Sequence, residues 1–238
     1  MGTVAGIDIS GRTTGTTAIA FLSTGGRGKP KLGEIIADGS LRGDAGDETI
    51  AKLLLRRRPD ITAIDAPLTL PHPAICRDPD CRRCFGDPQT RPRYTSRECD
   101  LKQSWVSAGF EMSGPMPTVM IAAIAFRAIY LRRVLERSDI KVIETWPMGV
   151  YRALEKRQGL DHETQVDDAR RLVLLRAAIA AKSKLPETGT DVRDRLDAVA
   201  AAYTAWSYAN GAEHVISVPE RIDTPANGEI WIPRPEAR

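Results

Sequence analysis

The chain has 238 residues and a mass of 26.1 kDa, and hydrophobic residues make up 42% of it. This is enough apolar material for one large domain or two small ones, so the composition excludes a disordered chain and a small disulfide-stapled scaffold. The 34 Lys and Arg residues and the 31 Asp and Glu residues leave a formal net charge of only +3. Bulk charge therefore does not indicate a nucleic-acid or membrane protein, and any electrostatic partner must bind a local patch.

No stretch of the chain reaches the roughly 18 apolar residues that a membrane span requires. The best run, residues 118–130, is short and contains Arg127. The amino terminus also lacks a basic start followed by an apolar core, because Asp8 interrupts the first hydrophobic run. We therefore expect a cytoplasmic protein with no membrane partner.

The first sixty-odd residues predict a meander, a helix and a fourth strand. Three short β-rich runs, separated by turn-forming segments, cover residues 4–10, 16–23 and 31–37. A helix is predicted over residues 47–58, because its leucines form an apolar stripe and Pro59 ends it. Residues 61–66 then form a buried strand that Pro67 ends.

Residues 68–118 show no sustained periodicity and are rich in Pro, Arg, Cys and Asp, which indicates an inserted loop or subdomain. Beyond this insertion, the pattern predicts a helix, a strand and three further helices, at residues 119–137, 141–145, 147–157, 163–181 and 191–210. We therefore predict a single α/β domain over residues 1–238, in which helices flank a mixed five-stranded sheet.

Acidic residues occupy three of the predicted strands, at positions that should otherwise be apolar. Asp8 lies within the first strand, Asp65 ends the fourth and Glu144 lies near the end of the fifth. Taken singly, Asp65 or Glu144 suits a strand-end residue that points into water. A cluster of buried carboxylates is costly unless it binds a cation, so the three together predict a divalent metal site. Asp197, at the edge of the apolar stripe of the last helix, is a fourth candidate.

Such a carboxylate cluster suits phosphodiester hydrolysis. Two divalent ions about 3.5–4 Å apart can clamp the attacking and leaving oxygens of a phosphodiester. Mg²⁺ and Mn²⁺ prefer oxygen ligands, and a bound water supplies the nucleophile. We predict that Asp8 bridges the ions, that Asp65 and Glu144 complete the ligands, and that Asp197 holds the second ion.

Six short blocks along the chain resemble the family called domain of unknown function 429 (DUF429). They are the run Gly6-Ile7-Asp8-Ile9-Ser10-Gly11, the strand around Asp65, the segment Arg97-Glu98-Cys99-Asp100, the strand around Glu144, the helix of residues 194–201, and the ending Gly228-Glu229-Ile230-Trp231-Ile232-Pro233. That family is described as predicted nucleases with a ribonuclease H-like, resolvase-type fold. The resemblance implies that the first and fourth strands are neighbours. It also implies that Asp8, Asp65, Glu144 and Asp197 form the acidic site.

All four cysteines fall within the insertion. Cys76, Cys81 and Cys84 have the spacing C-x4-C-x2-C, and Cys99 follows fifteen residues later. The close Cys81 and Cys84 pair suits a structural zinc site, and His72 could replace one ligand. An iron–sulfur cluster, disulfides and free thiols are the alternatives at this stage.

The same insertion is rich in arginine. Arginine side chains bind phosphate and aromatic residues stack on bases, so the insertion suits a DNA or RNA partner. We assign substrate binding to Arg97, with Asp100 orienting it. The alternative is a solvated loop of surface salt bridges.

Two rival functions remain. Residues 8–15, which include Arg12 as a further substrate-binding candidate, resemble the first phosphate loop of actin-like ATPases and sugar kinases, which indicates a phosphotransferase. That function would require a second nucleotide-binding domain, for which the helical stretch after Glu144 leaves little room. The other rival is a non-catalytic nucleic-acid-binding protein. The prediction is a metal-dependent nuclease that acts on DNA or RNA.

Overall fold

The computed structural model describes residues 2–10, 16–24, 28–81, 96–160, 166–180, 184–218 and 228–235. Their strands form one seven-stranded sheet. The strands are β1 (Thr3–Asp8), β2 (Ala18–Ser23), β3 (Lys31–Ile36), β4 (Ile61–Asp65), β5 (Lys141–Thr145), β6 (Val215–Val218) and β7 (Ile230–Pro233). The α-helices of the described residues are α1 (Gly43–Arg57), α2 (His72–Ile75), α3 (Lys102–Ser107), α4 (Ala122–Glu136), α5 (Pro147–Arg157), α6 (Asp168–Ala178) and α7 (Val192–Ala209).

The strand order across the sheet is β3-β2-β1-β4-β5-β7-β6. Strands β1 to β3 form an antiparallel meander, whereas β1, β4, β5 and β7 run parallel to one another. Strand β6 closes the far edge, antiparallel to β7. The order confirms the expected α/β class and the ribonuclease H-like arrangement, in which the first and fourth strands are neighbours.

The sheet has two more strands than the five that the sequence predicts. The additional strands, β6 and β7, have only four residues each. A run of four residues is too short to show a periodicity, and the pairing of β7 with β5 joins residues far apart in the chain. The five expected strands are all present, and β5 has the predicted bounds.

Helices cover both faces of the sheet and create two hydrophobic cores. On one face, α7 lies across β1, β2 and β4, and its alanines are buried against them. On the other face, α1 and α4 pack over the opposite side chains of the same strands. The central strands are therefore buried on both sides, which explains their nearly continuous apolar sequence.

Helix α7 approaches β1 unusually closely at Gly6. A Cβ atom on Gly6 would lie 2.0 Å from the backbone nitrogen of Ala202 and 2.3 Å from the carbonyl oxygen of Ala198. Only glycine on the strand and small residues on the helix permit this contact. The contact holds the first turns of α7, which carry Asp197, close to the end of β1, which carries Asp8.

Some predicted boundaries differ from the observed ones. The helix predicted over residues 163–181 is α6, which begins after Asp167 because the Asp167 side chain accepts a hydrogen bond from the Arg170 backbone. Within the insertion of residues 68–118, the described parts contain only the short helices α2 and α3 and 3-10 turns. The domain limits themselves stay predictions. No described helix combines the length and the apolar character that crossing a membrane would need.

Candidate metal site

Asp8 and Asp65 lie side by side where two parallel strands end. They are paired in the register of β1 and β4, and each is the last residue of its strand. Glu144 is opposite Ile64 in the register of β4 and β5, one residue away from Asp65. Because the carboxyl ends of parallel strands meet at one edge of a sheet, the fold brings these three acids together. Asp197 approaches the pair from α7.

A cleft of about 170 Å³ opens over this edge. Asp8, Asp65 and Glu144 contribute its acidic groups, and Trp146 contributes an aromatic ring. Arg97 also lines the cleft, and the remaining lining residues are mostly apolar and include Pro67, Pro115, Met116, Ile121, Ile124 and Ile230. The acids therefore sit in a recess with low-polarity walls, where charge interactions are stronger than in water.

The carboxylates of Asp8 and Asp65 have no positive partner of their own among the described residues. Burial raises the pKa of Asp8 well above its ordinary value, and the charges of Asp65 and Asp197 raise it further. Burial likewise raises the pKa of Asp65, with Asp197 and Glu144 adding to the effect. Arg171 lowers both pKa values without reversing either shift. Two adjacent, partly buried carboxylates whose pKa values stay raised despite Arg171 are the arrangement that a bound cation would stabilise.

Asp197 is held by two residues behind the cleft. The Tyr151 hydroxyl donates a hydrogen bond to Oδ1 at 2.9 Å, and the Arg171 guanidinium donates to Oδ2 at 2.8 Å. The same guanidinium lies over the Tyr151 ring, 5.3 Å from its centroid. Burial raises the pKa of Asp197 to about 6, although Arg171 and Tyr151 oppose that shift. Asp197 thus faces Asp8 and Asp65 from a fixed orientation.

Glu144 is held more tightly still. Its two carboxylate oxygens accept hydrogen bonds from Nη1 and Nη2 of Arg97, both at 2.7 Å. The backbone N–H of Leu68 donates to Oε2 at 2.8 Å. Burial raises the pKa of Glu144, and the charge and hydrogen bonds of Arg97 lower it in part. This bidentate pair fixes the side chain of Glu144 at the wall of the cleft.

Arg97 lies in the interior, with its side chain only 1% exposed. Besides Glu144, it contacts both oxygens of Asp100, through Nη2 at 2.8 Å and Nε at 3.3 Å. A bond of 3.4 Å to the Thr69 hydroxyl engages its fifth N–H. Asp100 also accepts a hydrogen bond from Thr118 at 2.9 Å. The predicted orienting contact from Asp100 is therefore present, but the guanidinium is turned to Glu144 and not to open solvent. Phosphate binding by Arg97 stays a prediction that requires it to leave Glu144.

The donor set at the strand ends fits a divalent ion in chemistry. Asp8 and Asp65 offer oxygen atoms, which Mg²⁺ and Mn²⁺ prefer. In the described part of the chain, no three acids bring one oxygen each within 4.8 Å of one another. Among the described residues, Asp8 and Asp65 form no ion pair, while Asp197 and Glu144 are held beside them by Arg171 and Arg97. The metal-binding and catalytic roles of all four acids stay predictions.

The cysteines divide differently from the predicted set of four. His72, Cys76 and Cys81 each place a ligand atom within 4.8 Å of the other two. Cys99 does not join them, because it lies in the core with no exposed surface and its Sγ contacts Oδ1 of Asp100 at 3.7 Å. Burial raises the pKa of the Cys99 thiol well above its ordinary value, which disfavours the thiolate that a metal would need. The described residues do not bring Cys99 to the other cysteines, and zinc binding by the predicted set stays a prediction. Cys84 and Arg12 lie outside the described residues.

A family model described as "Protein of unknown function (DUF429)" matches residues 6–222. The chain belongs to the DUF429 family. No curated protein matches it.

Among solved structures, RuvC of Thermus thermophilus resembles this DUF429 chain with 16% identity and a TM-score of 0.44. The similarity covers 87% of this chain and 95% of RuvC. The T. thermophilus RuvC structure in complex with a Holliday junction substrate gives 14% identity and a TM-score of 0.45, over 88% of this chain and 96% of the other.

The predicted site of this DUF429 chain does not include two residues that hold Asp197, namely Arg171 and Tyr151. For Arg171 a signal exists, since it precedes Leu174 and Leu175 by three and four residues and therefore shares the buried face of α6. A charged residue on an apolar helix face needs a buried partner, which here is Asp197. Tyr151 gives no such signal, because a tyrosine on the buried face of α5 is an ordinary core residue.

Proposed function

We propose that this DUF429 protein is a metal-dependent phosphodiester hydrolase that cleaves nucleic acid. The observation that carries the proposal is the pairing of Asp8 and Asp65 at the ends of adjacent parallel strands, in a cleft, without a positive partner in the described residues. Structural carboxylates at such positions are normally paired with a cation or exposed. Asp8 and Asp65 are only partly exposed and form no ion pair among the described residues, which supports a role in holding a divalent ion.

Asp8 and Asp65 would hold the ion, with Asp197 next to them. When bound, Mg²⁺ or Mn²⁺ supplies an activated water and stabilises the charge that develops on the phosphoryl oxygens. Arg171 and Tyr151 keep both oxygens of Asp197 oriented, so the carboxylate does not have to be ordered when the substrate arrives. For the two-ion form of this mechanism, we propose that Glu144 joins Asp8, Asp65 and Asp197 as the fourth carboxylate.

An aromatic ring beside the acids supports a nucleic-acid substrate. Trp146 lines the cleft beside Glu144, and bases stack on exposed aromatic rings. Trp146 is itself supported by Trp105, whose ring centroid lies 4.8 Å away in an edge-to-face arrangement. An aromatic platform next to paired carboxylates suits a substrate that carries both a phosphodiester and a flat base.

The test is a cleavage assay with a panel of labelled substrates: single-stranded DNA, duplex DNA, four-way branched DNA and RNA. We expect cleavage of at least one substrate with Mg²⁺ or Mn²⁺, and none with EDTA. Asp8→Asn and Asp65→Asn should each lower the rate by at least about a thousandfold, equivalent to roughly 4 kcal/mol of barrier. Mn²⁺ binding to the same variants, measured by calorimetry, should be lost in parallel.

Asp139→Asn is the matched control. Asp139 is exposed, its backbone has a positive φ of 59° that asparagine tolerates, and it precedes β5 at the opposite edge of the sheet. This variant should cleave and bind Mn²⁺ like the wild type, and it also reports any contaminating nuclease. Cleavage that persists in Asp65→Asn, or a wild type that binds neither ion and cleaves no substrate, would overturn the proposal.

A further inference from the structure

A second cluster of metal-ligating side chains lies outside the acidic site, in the segment that follows β4. His72, Cys76 and Cys81 are each partly exposed, and their ligand atoms all lie within 4.8 Å of one another. Cys76 and Cys81 are not joined in a disulfide. Two thiols and an imidazole gathered at this distance are the ligands of structural zinc sites, whereas Mg²⁺ and Ca²⁺ prefer oxygen.

Local backbone structure brings these three residues together. Helix α2 is a single turn, and the Cys76 N–H donates to the carbonyl of His72 at 2.9 Å. Residues four apart on a helical turn share one face, so His72 and Cys76 point the same way. A second turn follows, in which the Asp78 side chain accepts from the Asp80 N–H at 2.9 Å. That turn returns the chain so that Cys81 faces His72.

The best-defined separation in the cluster fits zinc coordination. Nε2 of His72 lies 3.5 Å from Sγ of Cys81. In a tetrahedral site with a Zn–S bond near 2.3 Å and a Zn–N bond near 2.05 Å, a nitrogen and a sulfur ligand are about 3.6 Å apart. The two side chains therefore already have the spacing that one shared ion would impose.

The described part of the segment that carries these residues has little buried surface. Among the residues of 69–81 whose burial is described, Pro71 is buried, and Arg77 to Asp80 are exposed. A short segment without its own core can take its folding energy from a structural metal instead. This segment also begins next to Leu68 and Thr69, which contact Glu144 and Arg97, so fixing it would help to fix the wall of the cleft.

We propose that His72, Cys76 and Cys81 form a structural zinc site that anchors the segment after β4. Three protein ligands leave the fourth tetrahedral position to one further donor. Cys99 takes no part, since it lies in the core beside Asp100. The proposal does not depend on the phosphodiesterase activity, because the site is separate from the strand-end acids.

The first test measures metal content after purification under reducing conditions without a chelator. The wild type should contain about one equivalent of zinc per chain, by mass spectrometry of the metal. Cys76→Ser, Cys81→Ser and His72→Asn should each retain less than about a tenth of an equivalent. The matched controls are Cys99→Ala and His214→Asn, which should keep the full equivalent.

A second measurement covers variants that fail to fold. Replacing zinc with Co²⁺ in the wild-type protein should give the strong visible absorption of tetrahedral cobalt, together with a thiolate-to-cobalt charge-transfer band. Thiol titration should show two cysteines that become reactive only after chelation. The proposal would be overturned by a wild type that binds neither zinc nor cobalt, or by a Cys76–Cys81 disulfide in protein purified under reducing conditions. Zinc that is lost in Cys99→Ala and kept in Cys81→Ser would overturn it as well.

Discussion

Asp8 and Asp65 differ from Glu144 and Asp197 in what surrounds each carboxylate. Glu144 accepts two hydrogen bonds from Arg97, and Asp197 accepts one from Arg171 and one from Tyr151. Asp8 and Asp65 form no ion pair among the described residues; neighbouring acids raise their pKa values, and Arg171 lowers them only in part. The difference separates acids that an arginine holds from acids that have no arginine partner of their own. The second kind is where a divalent ion is to be expected.

The largest effect on stability should come from the arginine that holds Glu144. Replacing Arg97 with methionine leaves Glu144 and Asp100 buried without a counter-charge, since both side chains are at most 5% exposed. We expect a loss of about 3–5 kcal/mol in the free energy of unfolding, measured in urea. The control is Arg132→Met, whose partner Glu136 is at the surface, and there the loss should stay below about 1 kcal/mol. Equal losses in the two variants would show that the buried pair does not matter.

A pH dependence should follow from the raised pKa of Asp197. The folded protein keeps this proton up to a pKa of about 6, whereas the unfolded chain releases it near the ordinary value of 3.8. Between these values the folded state binds more protons, so its stability falls as the pH rises and levels off above pH 6. At roughly 1.4 kcal/mol per unit of pKa, the fall amounts to about 3 kcal/mol.

Urea unfolding of the metal-free protein between pH 4 and 7 measures this effect. The difference in stability between the wild type and Asp197→Asn should shrink or reverse in favour of the variant as the pH rises through this window. The difference between the wild type and Asp139→Asn should stay flat. An Asp197 carboxyl that titrates near 3.8, followed by carbon NMR, would contradict the prediction.

Replacing one of the unpaired acids should raise the free energy of unfolding, whereas removing the arginine partner of Glu144 should lower it. Asp65→Asn removes a partly buried acid that Asp197 and Glu144 repel, so we expect the metal-free variant to be about 1–2 kcal/mol more stable than the wild type. Mg²⁺ should stabilise the wild type and not the variant, because only the wild type binds the ion in the folded state. A variant that is less stable than the wild type in EDTA would mean that Asp65 already has a partner.

The smallest effect on stability should come from Thr118, which holds Asp100 against Arg97. Thr118 is buried and donates a hydrogen bond of 2.9 Å to Asp100, so Thr118→Val should cost about 1 kcal/mol of unfolding free energy. Thr49→Val, on the partly exposed face of α1, should change stability by less than about 0.5 kcal/mol. No difference between the two variants would indicate that Asp100 holds Arg97 without help from Thr118.

Much of the fold follows from local sequence patterns. The hydrophobic runs predict β1 to β5, and the apolar stripe of residues 191–210 predicts α7 within one residue at each end. The two remaining strands are too short for a pattern, and β7 exists because it pairs with β5. The sequence also places Asp65 and Glu144 near strand ends, because that placement depends only on where each run stops. It places Asp8 within the first predicted strand, whereas β1 ends at Asp8 in the structure.

The choice of partner for each charged side chain was decided by the tertiary structure. Arg97 and Glu144 are 47 positions apart in the chain, and Arg171 and Asp197 are 26 apart. Hydrophobic periodicity extends over a few residues, so it identifies helices, strands and the acids they carry. It does not say which arginine will neutralise which acid, or that Cys99 enters the core while His72 turns towards Cys81. The sequence by itself determined which elements form and which chemistry they carry, and the packing of distant segments decided which carboxylates remain for a metal.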